Sequence, residues 1–146
     1  MVLFDILPQA IAWAEAQSLL AIRAGRPLDA HQCCLASAVG VAYPERVRVL
    51  AVGTIPLPTE PVLRQAAGEL GVLGQGVVGL TLGYAILVLQ GRLTRPVLAH
   101  ELRHVAQFEE SGSLAVFLGE YLRQVLAYGY RDAPMEVEAR GYEVAG

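Results

Sequence analysis

The sequence has few charged residues, few histidines and no pair of cysteines that could form an ordinary disulfide. Charged residues make up 17% of the 146 positions and the net charge is −3, with the basic residues scattered along the chain. A nucleic-acid-binding protein concentrates positive charge on one surface, so we expect no nucleic-acid partner. The two cysteines, Cys33 and Cys34, are adjacent and cannot bridge each other without strain. A reduced thiol pair predicts a cytoplasmic protein.

The chain also lacks an uninterrupted apolar stretch of the kind that crosses a membrane as a helix. Its longest uncharged segment, residues 70–91, is long enough to span a bilayer. That segment contains six glycines and two glutamines, a composition typical of turns and short strands rather than of one helix. Near the start of the chain, Asp5 and Glu15 interrupt the apolar residues, and no basic cluster precedes them. We therefore expect neither a transmembrane helix nor a signal peptide.

Hydrophobic residues, in contrast, are abundant at 54% of the sequence. A chain of this length and composition predicts a single domain, residues 1–146, with one core. Helical periodicity and cap residues predict helices at residues 8–24, 28–39, 59–70, 94–107, 114–128 and from about 132 onward. Alternating or continuous apolar runs predict strands at residues 46–52, 77–82 and 84–89. The expected fold class is therefore α+β, with several helices packed beside a small sheet.

One short motif carries most of the chemical information. His100, Glu101 and His104 lie in the segment HELRH, which fits the pattern H-E-x-x-H and contains two of the three histidines in the chain. On a helix, residues four apart lie one turn apart on the same face, so both imidazoles can bind one metal ion. A catalytic zinc site has three protein ligands and a fourth position for water. The motif therefore predicts a Zn²⁺ site in which Glu101 accepts a proton from that water.

A third ligand must come from another part of the chain. Gln107 and Glu110 occupy the positions where the metzincin motif has glycine and histidine, which disfavours that class. His31 lies far upstream and has no partner at ligand spacing. Pro134 marks the start of a further helix, and Glu136 lies in its first turn. Glu136 is thus either the third ligand or a capping carboxylate at the helix start.

The order of these motifs resembles that of the gluzincin metallopeptidases. HELRH is followed by an intervening helix and then by the run E-x-E-A, which begins at Glu136, and residues 78–145 also resemble a compact bacterial family of zinc-peptidase-like domains. The resemblance implies a zincin-like fold with zinc between two helices, Glu136 as third ligand and Glu138 as second choice. It also implies an edge strand that pairs with extended substrate, for which residues 84–89 are the candidate.

The sequence departs from the thermolysin-like members of this group at one position. Those enzymes have an aspartate four residues after the ligand glutamate, where it accepts a hydrogen bond from a zinc-binding histidine. This chain has Arg140 there, and arginine cannot accept a hydrogen bond. We therefore expect the acceptor to be Glu138, Asp132 or a backbone carbonyl.

Together these features predict a zinc metallopeptidase that hydrolyses peptide bonds in peptides or unfolded proteins. A donor to the developing oxyanion is also expected, and Tyr130 and Tyr142 are the main candidates, with Tyr128 and Arg140 as further ones. One alternative is a zinc-binding interaction or regulatory module with little or no peptidase activity. The other is a helical protein without a metal, in which HELRH arises by coincidence.

Overall fold

A computed structural model describes residues 3–144 of the protein. The described chain forms six α-helices, one 3-10 turn and four strands, which confirms the predicted α+β class. In chain order these are α1 (Leu3–Ala24), β1 (Arg26–Pro27), α2 (Ala30–Ala38), the 3-10 turn (Pro44–Arg46), β2 (Arg48–Val52), α3 (Pro61–Leu70), β3 (Gly79–Leu82), β4 (Ala85–Leu89), α4 (Arg95–Ser111), α5 (Leu114–Tyr128) and α6 (Pro134–Glu143).

The four strands form one mixed sheet in the order β1-β2-β4-β3. β2 and β4 are parallel, with Val49 opposite Ile86, whereas β3 and β4 form an antiparallel hairpin. Gly83 lies in the hairpin turn with a φ of 70°, a left-handed conformation that glycine adopts without strain. The hairpin places β3 at one edge of the sheet.

The prediction that residues 84–89 form the edge strand is wrong. β4 lies inside the sheet between β2 and β3, and the two edge strands are β1 and β3. The apolar run of β4 fits an interior strand, because both of its faces are covered. Ile86 and Val88 pack with α2 and α4 on one face, and Ala85 and Leu87 pack with α1 and α5 on the other.

Helix α4 follows directly from its sequence signals. The Thr94 side chain accepts a hydrogen bond from the Val97 backbone N–H and so caps the first turn. The helix ends at Gly112, which has a φ of 91°. Leu102, Val105 and neighbouring apolar residues are fully buried against the sheet. Other residues of α4 contact α5, α6 and the edge strand β3.

The uncharged segment at residues 70–91 forms the end of α3, the hairpin of β3 and β4, and the turns around them, as its glycines predict. Among the helices at residues 3–144, none is long and apolar enough to cross a membrane.

The burial of α4 gives a first prediction. Leu102→Ala should lower the free energy of unfolding by about 2–5 kcal/mol, because it removes a fully buried side chain from the core. Leu20→Ala is the matched control, since Leu20 is also helical but 59% exposed, and it should change stability by less than about 0.5 kcal/mol. Denaturant unfolding followed by circular dichroism measures both. Equal losses for the two variants would contradict this assignment of the core.

Candidate metal centre

Three side chains from two helices converge at one point. His100 and His104 lie one turn apart on α4, and Glu136 projects from the first turn of α6. The Glu136 carboxylate lies between the two rings, with Oε1 3.0 Å from His100 Nε2 and Oε2 3.2 Å from His104 Nε2. One ligand atom from each of the three side chains lies within 4.8 Å of the others. Two imidazole nitrogens and one carboxylate are a donor set that catalytic zinc sites use, so these residues fit a zinc ion.

Glu136 does not act as a capping carboxylate. Helix α6 begins after Ala133, which provides no side-chain hydrogen bond to the first turn. The Glu136 carboxylate is buried and accepts hydrogen bonds from the imidazoles and from the Tyr121 hydroxyl, at 2.6 Å from Oε2. This position agrees with Glu136 as the first-choice third ligand.

The second nitrogen of each imidazole is also held. His100 Nδ1 lies 2.7 Å from Oε2 of Glu143, and His104 Nδ1 lies 2.7 Å from Oε1 of Gln107. In the neutral tautomer that carries its proton on Nδ1, each imidazole donates to these oxygens and has a lone pair on Nε2 for a shared cation. The acceptors are therefore Glu143 and Gln107, and the expectation of Glu138, Asp132 or a backbone carbonyl is wrong.

Glu138, the second choice for the third ligand, lies outside the cluster. Its Oε1 is 2.7 Å from Arg103 Nε and 3.0 Å from Gln107 Nε2. The side chain is 47% exposed, and its bonds join α6 to α4 beside the cluster. Glu138 thus supports Gln107, which in turn orients His104.

The proposed base, Glu101, is held by the edge strand. Its side chain is buried, and Thr81 Oγ1 donates to Glu101 Oε1 over 2.7 Å. Glu101 Oε2 lies against Gly79, where the Cβ of any other residue would come within 2.9 Å of it. Strand β3 therefore fixes one carboxylate oxygen through Thr81 and leaves space for the other at Gly79. No sequence pattern indicated the role of Thr81 or of Gly79, because both roles depend on the position of β3 beside α4.

Of the four expected donors to the oxyanion, only Tyr130 is among the described residues that line the cavity beside the cluster. Tyr130 lines the same cavity as Glu101 and the three clustered residues. Tyr142 instead lies beneath the Arg103 guanidinium, 4.7 Å from its ring centroid, and Tyr128 is 60% exposed. A fourth candidate, Arg140, donates to the backbone carbonyl of Arg131.

Tyr121, which sequence patterns did not single out, also lines the cavity. It follows Phe117 by four residues on α5, and the two rings stack with centroids 5.9 Å apart. That spacing predicts a shared buried face, but it does not distinguish a residue that contacts Glu136 from one that only packs. Burial and the negative charge of Glu136 raise the pKa of Tyr121, so its hydroxyl keeps its proton and donates it.

The electrostatics of the cluster favour an ionised carboxylate beside protonated imidazoles. Burial opposes charge on Glu136, but hydrogen bonds from His100 and His104 outweigh it and hold the Glu136 pKa well below its usual range. Burial also opposes charge on His100, yet its hydrogen bond with Glu136 and the nearby charge of Glu101 raise the His100 pKa to about 9. A cation that binds at neutral pH must therefore displace a proton from His100.

Comparisons with models of protein families, with curated proteins and with solved structures find no match for this chain. The resemblance to gluzincins therefore depends on the motif residues alone.

The geometry distinguishes the two glutamates of the E-x-E-A run. Glu136→Ala should abolish or strongly weaken zinc binding, because it removes the only carboxylate in the described cluster. Glu138→Ala should retain zinc, since Glu138 bonds to Arg103 and Gln107 rather than to the cluster. Zinc content after dialysis, measured by atomic spectroscopy, tests both variants. Loss of zinc from the Glu138 variant alone would remove Glu136 from the site.

A related prediction concerns the acceptor for His100. Glu143→Ala should weaken zinc binding by roughly 10–100-fold, the usual effect of removing a hydrogen-bond partner from a ligand histidine. Glu110→Ala is the control, because Glu110 is exposed on α4 and its one ion pair within residues 3–144 is with Arg103, at 3.5 Å. Competition with a chromogenic chelator gives both dissociation constants. The same affinity in both variants would exclude this role for Glu143.

Proposed function

We propose that the protein is a zinc-dependent metallopeptidase. One observation carries the proposal: the two histidines and Glu136 meet at a point where the buried carboxylate of Glu101 lines the same cavity. A metal site needs only the first three residues, and a separate carboxylate that is held by strand β3 is what a hydrolase requires as a base. The resemblance of HELRH and E-x-E-A to gluzincins supports the same conclusion.

Zinc bound by His100, His104 and Glu136 would polarise the scissile carbonyl and make a coordinated water acidic. Glu101 accepts the proton of the attacking water and delivers it to the leaving nitrogen. Because Thr81 bonds to Oε1, Oε2 is the oxygen left to carry this proton. Thr81 thus holds the Glu101 carboxylate beside β3, and Glu101 is not one of the three clustered residues.

A tyrosine hydroxyl supplies the expected donor to the oxyanion. Tyr130 lines the cavity, and burial together with the charges of Glu136 and Glu101 raises its pKa, so its hydroxyl stays protonated at neutral pH. Tyr121 donates to Glu136 and holds this ligand in place. We therefore assign oxyanion stabilisation to Tyr130 and ligand positioning to Tyr121.

The substrate in this proposal is an extended peptide or an unfolded protein. Within the described chain, no strand pairs with the outer side of β3, and its first two residues, Gly79 and Leu80, are partly exposed. The proposal is that a peptide pairs with this edge. All four residues of β3 line the cavity that contains Glu101. A substrate that adds a strand to β3 would pass its peptide bonds across the metal centre. A cytoplasmic location remains part of the proposal, since Cys33 and Cys34 are both free thiols.

The role of Glu101 separates an enzyme from a zinc-binding module. Glu101→Gln should retain zinc and the fold, because the amide has nearly the same shape and Glu101 is not a ligand. Hydrolysis of a casein-like unfolded substrate should fall by about 10²–10⁴-fold, the usual contribution of a general base. Fluorescent substrate cleavage and zinc content are measured on the same samples.

Two outcomes would contradict parts of this assignment. A wild-type protein that holds zinc but cleaves no more than the Glu101→Gln variant would support the binding-module alternative. An active protein whose rate survives the substitution would show that Glu101 is not the base.

A further inference from the structure

A cavity of about 110 Å³ adjoins the metal centre. At one end its wall consists of His100, Glu101, His104 and Glu136. The rest of the wall is supplied by α1, α3, β3, α5 and the connecting residues Pro58, Val72, Leu73 and Tyr130, and none of these described residues is charged. Most of this wall is therefore apolar, and it lies directly beside the groups that would cleave a peptide.

Small residues create the space. Ala10 and Ala14 on α1 face the cavity, as do Ala66 and Ala67 on α3, and all four are buried. Larger residues such as Trp13 and Leu63 form the surrounding wall. Alanines at these positions leave room that leucines would fill.

The volume limits what can occupy the cavity. An engineered apolar cavity of about 150 Å³ in another protein takes up one benzene molecule, so a cavity of about 110 Å³ has room for no more than one large side chain. It is too small for a long acyl chain. A charged side chain would lose its hydration among alanine and leucine without gaining a partner, which costs several kcal/mol and excludes it.

We propose that this cavity binds one large apolar side chain, of the size of leucine or phenylalanine, from the residue next to the peptide bond that is cleaved. The inference rests on the proposed function and names its substrate class: peptides with a bulky apolar residue beside the scissile bond. The cavity shares Glu101 and His104 with the metal centre, so a side chain inside it belongs to a residue adjacent to that bond. Ala10 and Ala67 are the residues that determine this specificity.

The protein contains its own reporter of occupancy. Trp13 is the only tryptophan in the chain, and it lines the cavity. Excitation at long wavelength selects tryptophan over tyrosine, so its emission responds to a side chain that enters. This signal requires no turnover, and binding is therefore measured separately from cleavage.

The first experiment titrates zinc-loaded Glu101→Gln protein with blocked alanine pentapeptides that carry leucine, phenylalanine, alanine or aspartate at the central position. We expect saturable changes in Trp13 emission with leucine and phenylalanine, and at least tenfold weaker binding with alanine and aspartate. Equal responses to all four peptides, or none, would overturn the proposal. Tighter binding by a decanoyl amide that displaces the leucine peptide would overturn the assignment to a side chain.

The second experiment fills the cavity. Ala67→Leu and Ala10→Leu, on different helices, should each weaken the leucine response by about tenfold or more while zinc content and circular dichroism are unchanged. Ala12→Leu is the matched control, because Ala12 is exposed on α1 and should leave binding unchanged. Having a filling variant on each of two helices keeps the test available if one fails to fold. Full binding by a folded filling variant would contradict the proposal.

Cleavage by the wild type distinguishes this inference from the function on which it rests. We expect kcat/KM to be at least tenfold higher for the leucine peptide than for the alanine peptide, and this ratio to fall towards one in Ala67→Leu. Cleavage without side-chain preference would contradict the proposal for the cavity, but it would still support the proposed peptidase function. Leucine-selective binding without cleavage of any peptide would support the cavity and refute the peptidase.

Discussion

The buried carboxylate of Glu136 is the group on which the arrangement of the last three helices depends. Burial of an ionised carboxylate costs free energy unless donors surround it. Glu136 has three, namely His100 at 3.0 Å, His104 at 3.2 Å and Tyr121 at 2.6 Å. Because these partners come from α4 and α5, α6 can satisfy its carboxylate in only one position against both helices. The same hydrogen bonds therefore hold α6 against α4 and α5 and set the geometry of the candidate ligands.

The same network extends beyond the ligands and makes the site rigid. His104 bonds to Gln107, Gln107 to Glu138, and Glu138 to Arg103. The first of these bonds lies within α4, and the other two join α4 to α6. Rotation of the His104 imidazole would therefore break bonds on both helices. Among the described residues, no buried side-chain nitrogen or oxygen lacks a hydrogen-bond partner. Such a second layer of contacts orients the three candidate ligands before any metal binds.

Sequence patterns predicted some residues of this candidate site and missed others. The difference depends mainly on how far apart in sequence the interacting residues lie. The spacing of His100, Glu101 and His104 is a property of one helix, so it was predicted from local signals. The helix start placed Glu136 in its first turn, and the choice of Glu136 as third ligand came from the resemblance to gluzincins. The orienting acceptor Glu143 was missed because its role depends on the crossing of α4 and α6, which no local pattern encodes. Gln107, in contrast, lies three residues after His104 on the same helix, so the local spacing could have indicated its role. Helix positions were predicted well for the same reason, with boundaries differing by a few residues.

The wrong edge strand has the same physical origin. An apolar run such as β4 is compatible with an edge strand or with an interior one, and the choice depends on which helices cover each face. Strand β2 lies far away in sequence and occupies the other side of β4, which leaves the shorter β3 at the edge. Local alternation cannot reveal a parallel partner that is separated by a crossover containing α3 and β3.

The position of β3 explains how the base and the apolar cavity come to lie together. Successive side chains of a strand point to opposite faces. Gly79 and Thr81 contact Glu101, whereas Leu80 and Leu82 pack with the apolar cluster formed by α1 and α5. A shift of one residue in the pairing of β3 with β4 would exchange these faces and place leucine against the carboxylate. The hairpin turn at Gly83 sets the register of β3 against β4. This register places Gly79 and Thr81 beside the Glu101 carboxylate, and it places the leucines of β3 in the apolar cluster.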